Sequence, residues 1–436
     1  MKLLADVTLL ADFFGCLVLA TLIVKRPQNH SLRLLSTYET KMIQGENQIP
    51  LTGGSEAGNT YAAKITDYSR VTFLADIQIG TPPQPFRAVV DISWADLFVP
   101  STKCDSSSAC SVHQLYNSSN SKTYVEHGDP TNIHYAGIYT SGFKSEDTLR
   151  VAGLEIKNQI FEEATSLRPS PFYRDDKMDS VLGLSRFPLS FPGSDLSGST
   201  SPWHNLIKQK RLKKNIFSIK VSKSPYRDGE IMFGDVNPKL FEGGLMSIPT
   251  THKTHEKMPL RQMLGSGWQV EAHSLSFGFG PEAIHADLSG YAAIFMTAYP
   301  WISFPRALAE QLQDRCGGDY DNMGQIECVK RAELPDLIVR LGTDCSVVIS
   351  PWDYVLESPA EGGGIVCSVP FVQHEEPDDE PKYMILGAAF LAGVYSVFDQ
   401  NGGTISREFY VERFRSKLTN RLWRYARNIS DFDDLL

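Results

Sequence analysis

Hydrophobic positions along this chain fall into short runs rather than long periodic stripes. Thr72-Phe73-Leu74-Ala75-Asp76-Ile77-Gln78-Ile79 and Ile216-Phe217-Ser218-Ile219 mix β-branched and aromatic residues over strand lengths, and Gly and Pro punctuate the gaps between such runs. That texture predicts a mostly β protein with few helices. The clearest helical candidate spans Asn205 to Lys214, where Leu206, Ile207 and Leu212 stand among several lysines and an arginine. Its basic run from Lys208 to Lys214 reads as a solvated helix face, with a binding patch as the sharper alternative. Residues 190–202, rich in Ser, Gly and Pro, predict the loop leading into it. The acidic run Glu375-Glu376-Pro377-Asp378-Asp379-Glu380 predicts another exposed loop.

One motif occurs twice within this pattern. The first copy is Val89-Val90-Asp91-Ile92-Ser93-Trp94-Ala95-Asp96-Leu97-Phe98-Val99-Pro100, and the second is Ile294-Phe295-Met296-Thr297-Ala298-Tyr299-Pro300-Trp301-Ile302-Ser303-Phe304-Pro305. In both, an apolar run leads into a key position, and a proline sits nine residues beyond it. That position holds Asp91 in the first copy and Met296 in the second. If the copies once supplied one carboxylate each to a shared centre, one acid remains.

On these residues the chain resembles the pepsin-like aspartic endopeptidases, and the fungal secreted branch most closely. The family's element upstream of the first acid is intact as Ile79-Gly80-Thr81-Pro82-Pro83-Gln84-Pro85-Phe86. Tyr135, in His134-Tyr135-Ala136-Gly137, stands where the family keeps its flap tyrosine. Val181-Leu182-Gly183-Leu184 and Ile385-Leu386-Gly387 match the paired apolar-apolar-Gly elements, one per lobe. Gly229-Glu230-Ile231-Met232-Phe233-Gly234 and Trp268-Gln269-Val270 match strands around the lobe junction. The likeness covers about residues 68 to 407. It implies a mostly β, bilobal fold of two related β lobes with a central cleft, residues 68–245 forming the N-terminal lobe and 246–407 the C-terminal lobe.

The same resemblance implies a reaction and shows what this chain lacks for it. Peptide hydrolysis in the family uses two carboxylates that share a proton across a bound water, because close like charges do not both ionise. Met296 neither donates nor accepts a proton, which makes Asp91 a vestigial catalytic residue and Met296 the lost second position. The glycines that let each family loop approach the acids are Ser93 and Ala298 here. The first loop's cross-locking threonine is Ile92, although Thr297 persists in the second. Small hydroxyl residues have become Trp94 and Tyr299, which either fill the core or contact a ligand. Phe98 replaces a tryptophan that reaches toward the flap, and Ala388 replaces an acid. Tyr135, Ser93, Trp94, Thr297, Ala298 and Tyr299 are the expected lining of the cleft. A compensating carboxylate, such as Asp96 or Asp287, is the alternative that would preserve chemistry.

Composition narrows the class without changing this picture. The chain has 436 residues, with 42% hydrophobic and 11% aromatic positions, which suits a globular protein with two substantial cores. A formal net charge of −9 argues against nucleic acid as a main partner. No cofactor, metal or stable membrane span is expected, and the anticipated state is a monomer with a peptide or protein ligand.

Signs of the secretory route lie at the N-terminus and in the cysteines. The apolar stretch Phe13–Val24, twelve residues long and closed by Lys25-Arg26, suits a signal-peptide core within residues 1–24, while Asp6 and Asp12 fit that reading poorly. Residues 25–67 read equally as an inhibitory prosegment or an uncleaved extension. Beyond Cys16 there are six cysteines, an even number that suits an oxidising compartment. The family resemblance implies bridges Cys104–Cys110 and Cys328–Cys367, leaving Cys316 and Cys345 as a remainder. Sequons start at Asn29, Asn117 and Asn428, of which Asn117 lies in a polar loop. The tail 408–436 carries Phe409, Phe414, Leu418, Leu422 and Trp423 in a basic, partly helical pattern before Asp431-Phe432-Asp433-Asp434. It either packs back on the body or binds a partner.

Two functions stand against each other: a secreted pseudo-protease that binds peptide or protein, and a weak or unconventional aspartic endopeptidase working at acid pH.

Overall fold

A computed structural model describes residues 61–409, apart from 69–71, 106–108, 169–177, 188–195, 197–200, 222–228, 242, 252–266, 279, 319–323, 344, 360–363 and 377–381. The leader, Cys16, Asn29, the extension before Tyr61, most of the 190–202 loop, the centre of the acidic run, Asn428 and the tail beyond Phe409 lie outside the described residues. Strands carry the fold, as the short alternating runs predict, and the four described α-helices are all short. Thr72–Ile79 and Ile216–Lys220 are both strands.

The helix expected over Asn205–Lys214 forms instead over Pro202–Lys208. Ser201 caps its start by accepting from the His204 amide, and Pro202 at the first helical position fits that start. Lys210 at φ 52 stands just past the helix end, so the downstream basic residues lie outside the helix. Leu206 and Leu212, which suggested one apolar face, are both buried on either side of that break.

A thirteen-stranded sheet runs through the molecule. Its inner strands include Tyr61–Tyr68, Ile216–Lys220 and Gly229–Phe233, joined antiparallel to Val394–Asp399 and Thr404–Phe409 from the far end of the sequence. Late strands therefore complete a sheet begun by early ones, and no local pattern along the chain announces that pairing. A second, eight-stranded sheet is built wholly from Gln269 onward. Trp268 ties the halves together by donating its indole N–H to the Leu184 carbonyl at 2.8 Å.

The repeated motif appears twice in the topology. Gln84–Asp91 runs parallel to Ser180–Gly183, with Asp91 opposite Gly183. Ala292–Phe295 runs parallel to Tyr383–Leu386, and the Met296 amide continues the ladder to the Leu386 carbonyl. In each copy the loop after the key position folds back onto its Gly-containing strand. The Ser185 amide bonds the Trp94 carbonyl at 3.0 Å, and the Ala388 amide bonds the Tyr299 carbonyl at 2.7 Å. Glycine is required at both places. A Cβ on Gly183 would stand 2.7 Å from the Trp94 carbonyl oxygen, and one on Gly387 would stand 2.2 Å from those of Tyr299 and Trp301.

A long hairpin, Val125–Tyr135 with Ile138–Val151, supplies the flap. Its two-residue tip is Ala136 and Gly137, both at positive φ, the mirror-image turn that matches strand twist. That turn sets Tyr135 opposite Ile138 on the inner face, where both are buried.

Candidate functional site

A hydroxyl of the second motif loop grips the first. Thr297 Oγ1 donates to the Val90 carbonyl at 2.7 Å and accepts from the Ile92 amide at 3.1 Å, so it grips both neighbours of Asp91. Ile92 has no hydroxyl with which to return the contact. Met296, adjacent to Thr297, is thereby tied through the backbone to the loop that carries Asp91.

Asp91 is fully enclosed, at 0% exposure. Its Oδ1 accepts from the Ser93 amide at 2.7 Å and the Ser93 hydroxyl at 2.6 Å. Its Oδ2 accepts from the Tyr135 hydroxyl at 2.9 Å. Both oxygens are thus engaged by the chain's own donors, and no carboxylate is among its hydrogen-bond partners in the described residues. Burial pushes the Asp91 carboxyl above the ordinary carboxylate range, and the Ser93 and Tyr135 donors offset only part of that. Trp94, itself fully buried, packs edge-on against the Tyr135 ring with centroids 4.9 Å apart. Phe98, Val89, Leu74 and Ile138 belong to the same apolar cluster, and Ala298 packs on it from the second motif.

Met296 sits in a small apolar cluster with Ile294, Tyr383 and Ile385, and Tyr299 covers it. Tyr299 is partly exposed and stands edge-on to Trp301 at 5.6 Å. Its phenol titrates above its ordinary value, chiefly because it is buried, with a Ser303 hydrogen bond opposing the shift. Behind this cluster the Ser303 hydroxyl lies 2.9 Å from His374 Nδ1, and the His374 ring stacks on Tyr383 at 4.3 Å. Sequence reasoning did not find Ser303, His374 or Tyr383. Ser303 lies inside the second motif, but His374 and Tyr383 come from distant strands with no motif of their own.

The other candidate acids lie elsewhere. Asp287 is exposed and accepts from the amide and hydroxyl of Ser289. Asp96 is buried on the side of Glu162, whose own carboxyl is pushed up mainly by burial and further by Asp96. Thr131 donates to Glu162 at 2.7 Å, which makes that pair part of the N-terminal core. Among the described residues no cluster of His, Cys, Asp or Glu is arranged to hold a metal ion.

Two disulfides form, Cys104–Cys110 and Cys328–Cys367. Cys316 and Cys345 are buried thiols outside any disulfide, and burial raises the Cys316 thiol to about 12. Asn117 is partly buried and caps a short 3₁₀ turn by accepting from the Ser119 amide at 3.1 Å.

Residues 72–407 match the family model described as eukaryotic aspartyl protease. The chain belongs to that family. It is 30% identical over 356 residues to "Vacuolar protease A" of Neurospora crassa, covering 81% of this chain and 82% of the relative. It is 32% identical over 346 residues to "Cathepsin D" of Gallus gallus, covering 78% and 81% respectively. "Vacuolar aspartic protease" of Candida albicans is 29% identical over 378 residues, 86% of this chain and 82% of that one. Within the aspartyl protease fold, the equivalent loop ends here carry Asp91 and Met296. No described helix is long and apolar enough to cross a membrane.

Proposed function

We propose that this aspartyl protease relative is a secreted pseudo-protease, a protein that keeps the bilobal fold as a binding scaffold for a peptide or protein and does not hydrolyse peptides by the family mechanism. The observation that carries this reading is the state of Asp91. Its carboxylate is enclosed, bonded through both oxygens to Ser93 and Tyr135, and its counterpart position is a methionine. A hydrolytic water needs a base to take its proton and an acid to stabilise the oxyanion. Here the one acid is engaged by internal donors and the second is missing. General acid–base assistance alone contributes ~10²–10⁴ in rate, and groups that act as a unit fail together, so the loss exceeds that range.

Passage through the secretory pathway is part of the same proposal. Two formed disulfides, the apolar N-terminal stretch and the vacuolar names of two relatives support it. Asn117 is the sequon proposed to carry glycan, because its loop is polar and its neighbour Ser119 is exposed.

The test is a peptide cleavage assay at acid pH with a statine-type inhibitor as control. The expected result is no inhibitor-sensitive turnover. Turnover that the inhibitor blocks and Asp91→Asn abolishes would establish the opposing reading, an unconventional aspartic endopeptidase.

A further inference from the structure

We propose that the C-terminal segment 411–425 docks on an apolar patch of the protein's own surface made by Val329, Trp352 and Ile365. These side chains are 59%, 38% and 53% exposed, three of the six large apolar residues that stand out from the described surface. Single exposed apolar residues are ordinary, but grouped ones mark a contact surface.

The three are held together by a rigid crosslink. Val329 comes directly after Cys328, whose sulfur lies 3.7 Å from the Ile365 carbonyl and is bonded to Cys367. Arg331 places its guanidinium 4.9 Å over the Trp352 ring while its Nη2 approaches Cys367 Sγ at 3.0 Å and its Nη1 pairs with Glu357. A 3₁₀ helix, an α-helix and a strand are thus pinned into one surface.

The chain leaves the described residues beside this patch. Phe409 pairs with Val394 in the last hairpin, about 4.8 Å away across the strands. Gly393, just before Val394, abuts Ile349 and Asp353 so closely that a Cβ on it would stand 2.9 Å and 3.3 Å from them. Asp353 is the neighbour of Trp352 in the helix Pro351–Tyr354. The chain beyond Phe409 therefore starts near the Trp352 edge of the patch.

The pattern of that segment fits such a surface. Val411, Phe414, Leu418, Leu422 and Tyr425 recur at spacings of three and four, which places them on one face of a helix. Arg415 and Arg421 flank the stripe on its two sides, while Arg413, Trp423 and Arg424 fall on the opposite face. Acids stand on both sides of the patch, with Lys330 between them. Glu327 and Glu333 are exposed on either side of Val329, and neither is held in an ion pair among the described residues. A helix of such length is marginal alone, so the apolar stripe gains order only against a partner surface.

Hydrogen exchange on the full chain decides the matter, comparing the native sequence with Val329→Glu/Ile365→Glu and with Leu418→Glu/Leu422→Glu. Docking predicts a reciprocal effect: each pair speeds exchange at the other site by about tenfold, independent of protein concentration. The second pair alters only the tail, so it decides the question even if the first unfolds the body. The proposal fails if residues 328–333 exchange alike with and without the tail substitutions. It fails equally if protection grows with protein concentration, which would make the occupant a second copy. Tail protection that arises only with phosphatidylserine vesicles would overturn it in favour of a membrane surface.

Discussion

The Tyr135 hydroxyl reaches 2.9 Å to Oδ2 of Asp91, so the tip of the long hairpin closes directly onto the acid of the first motif. Three side chains surround that approach. Trp94 supplies a ring for Tyr135 to pack against, Ser93 adds a hydroxyl that satisfies the inner oxygen, and Phe98 extends the apolar wall. Together they enclose Asp91 in a buried polar network whose two oxygens are both bonded, and such a network strengthens a unique fold when every member is bonded. Removing the hydroxyl in Tyr135→Phe leaves one oxygen of a buried carboxyl without its donor. The expected loss is about 1–3 kcal/mol of unfolding free energy at neutral pH, measured by chemical denaturation. A neutral effect would mean the bond contributes nothing to the closed site.

The same burial makes stability depend on pH through Asp91. Its folded-state carboxyl titrates above the ordinary value, whereas in the unfolded chain it titrates near about 3.9. Below that value both states are protonated and the group contributes no difference. As pH rises, the unfolded chain releases its proton first, so the folded state loses stability until its own higher value is passed. Asp91→Asn removes this term while an amide oxygen still accepts from Ser93. The stability of Asp91→Asn relative to the native protein is therefore expected to increase as pH rises from the unfolded value to the folded one, and then to level off. A constant difference, or one that grows toward acid, would show that burial does not dominate at Asp91.

The Thr297 hydroxyl bonds the second motif loop to both neighbours of Asp91. Thr297→Val leaves the buried Val90 carbonyl and Ile92 amide without the hydroxyl that joins them, at an expected loss of about 2–4 kcal/mol. Thr297→Ser retains that hydroxyl and is expected to recover most of the loss. Equal destabilisation by both variants would assign the effect to the methyl group instead.

Gly387 tests the backbone of the second motif. Ala at this position forces a Cβ against two carbonyl oxygens of the Tyr299–Trp301 loop, and a loss above about 3 kcal/mol is expected. Gly244→Ala, with open space around it, is the matched control and should change stability by less than about 0.5 kcal/mol. Similar thermal melts for the two would contradict the close approach.

Local features were legible in the sequence, and long-range ones were not. Thr72–Ile79 and the two motif strands announce themselves through β-branched and aromatic runs, and the apolar-apolar-Gly elements at Gly183 and Gly387 mark where backbones must nearly touch. The joining of Val394–Asp399 and Thr404–Phe409 to the early strands depends on pairing across most of the chain, which no short window encodes. The helix ran past its true end in sequence because Leu212 continues an apolar pattern that Lys210 interrupts through its backbone angle. At the site, the equivalent placing of Asp91 and Met296 at the ends of two like strands was legible in the repeated motif. The bond between Tyr135 and Asp91 was not, because it depends on how far the flap closes. The Ser93 hydroxyl was missed for a related reason: glycine-to-serine reads as lost freedom, whereas its effect here is an added donor.

Restoring the second acid alone should not restore hydrolysis. Met296→Asp puts a carboxyl among Ile294, Tyr383 and Ile385, under the cover of Tyr299, where an ionised group without a partner costs several kcal/mol and is driven to its neutral form. Asp91 would still be held by Ser93 and Tyr135, so the two acids would have no shared water to polarise. The expected outcome is a lower melting temperature and no inhibitor-sensitive peptide cleavage at acid pH. Cleavage should require, in addition, small residues at Trp94 and Tyr299 and glycine at Ser93 and Ala298, because only those changes release Tyr135 and open the space between the loops. Appreciable turnover in Met296→Asp by itself would refute this, since it would mean that the flap leaves Asp91 readily and that the methionine is the sole barrier to chemistry.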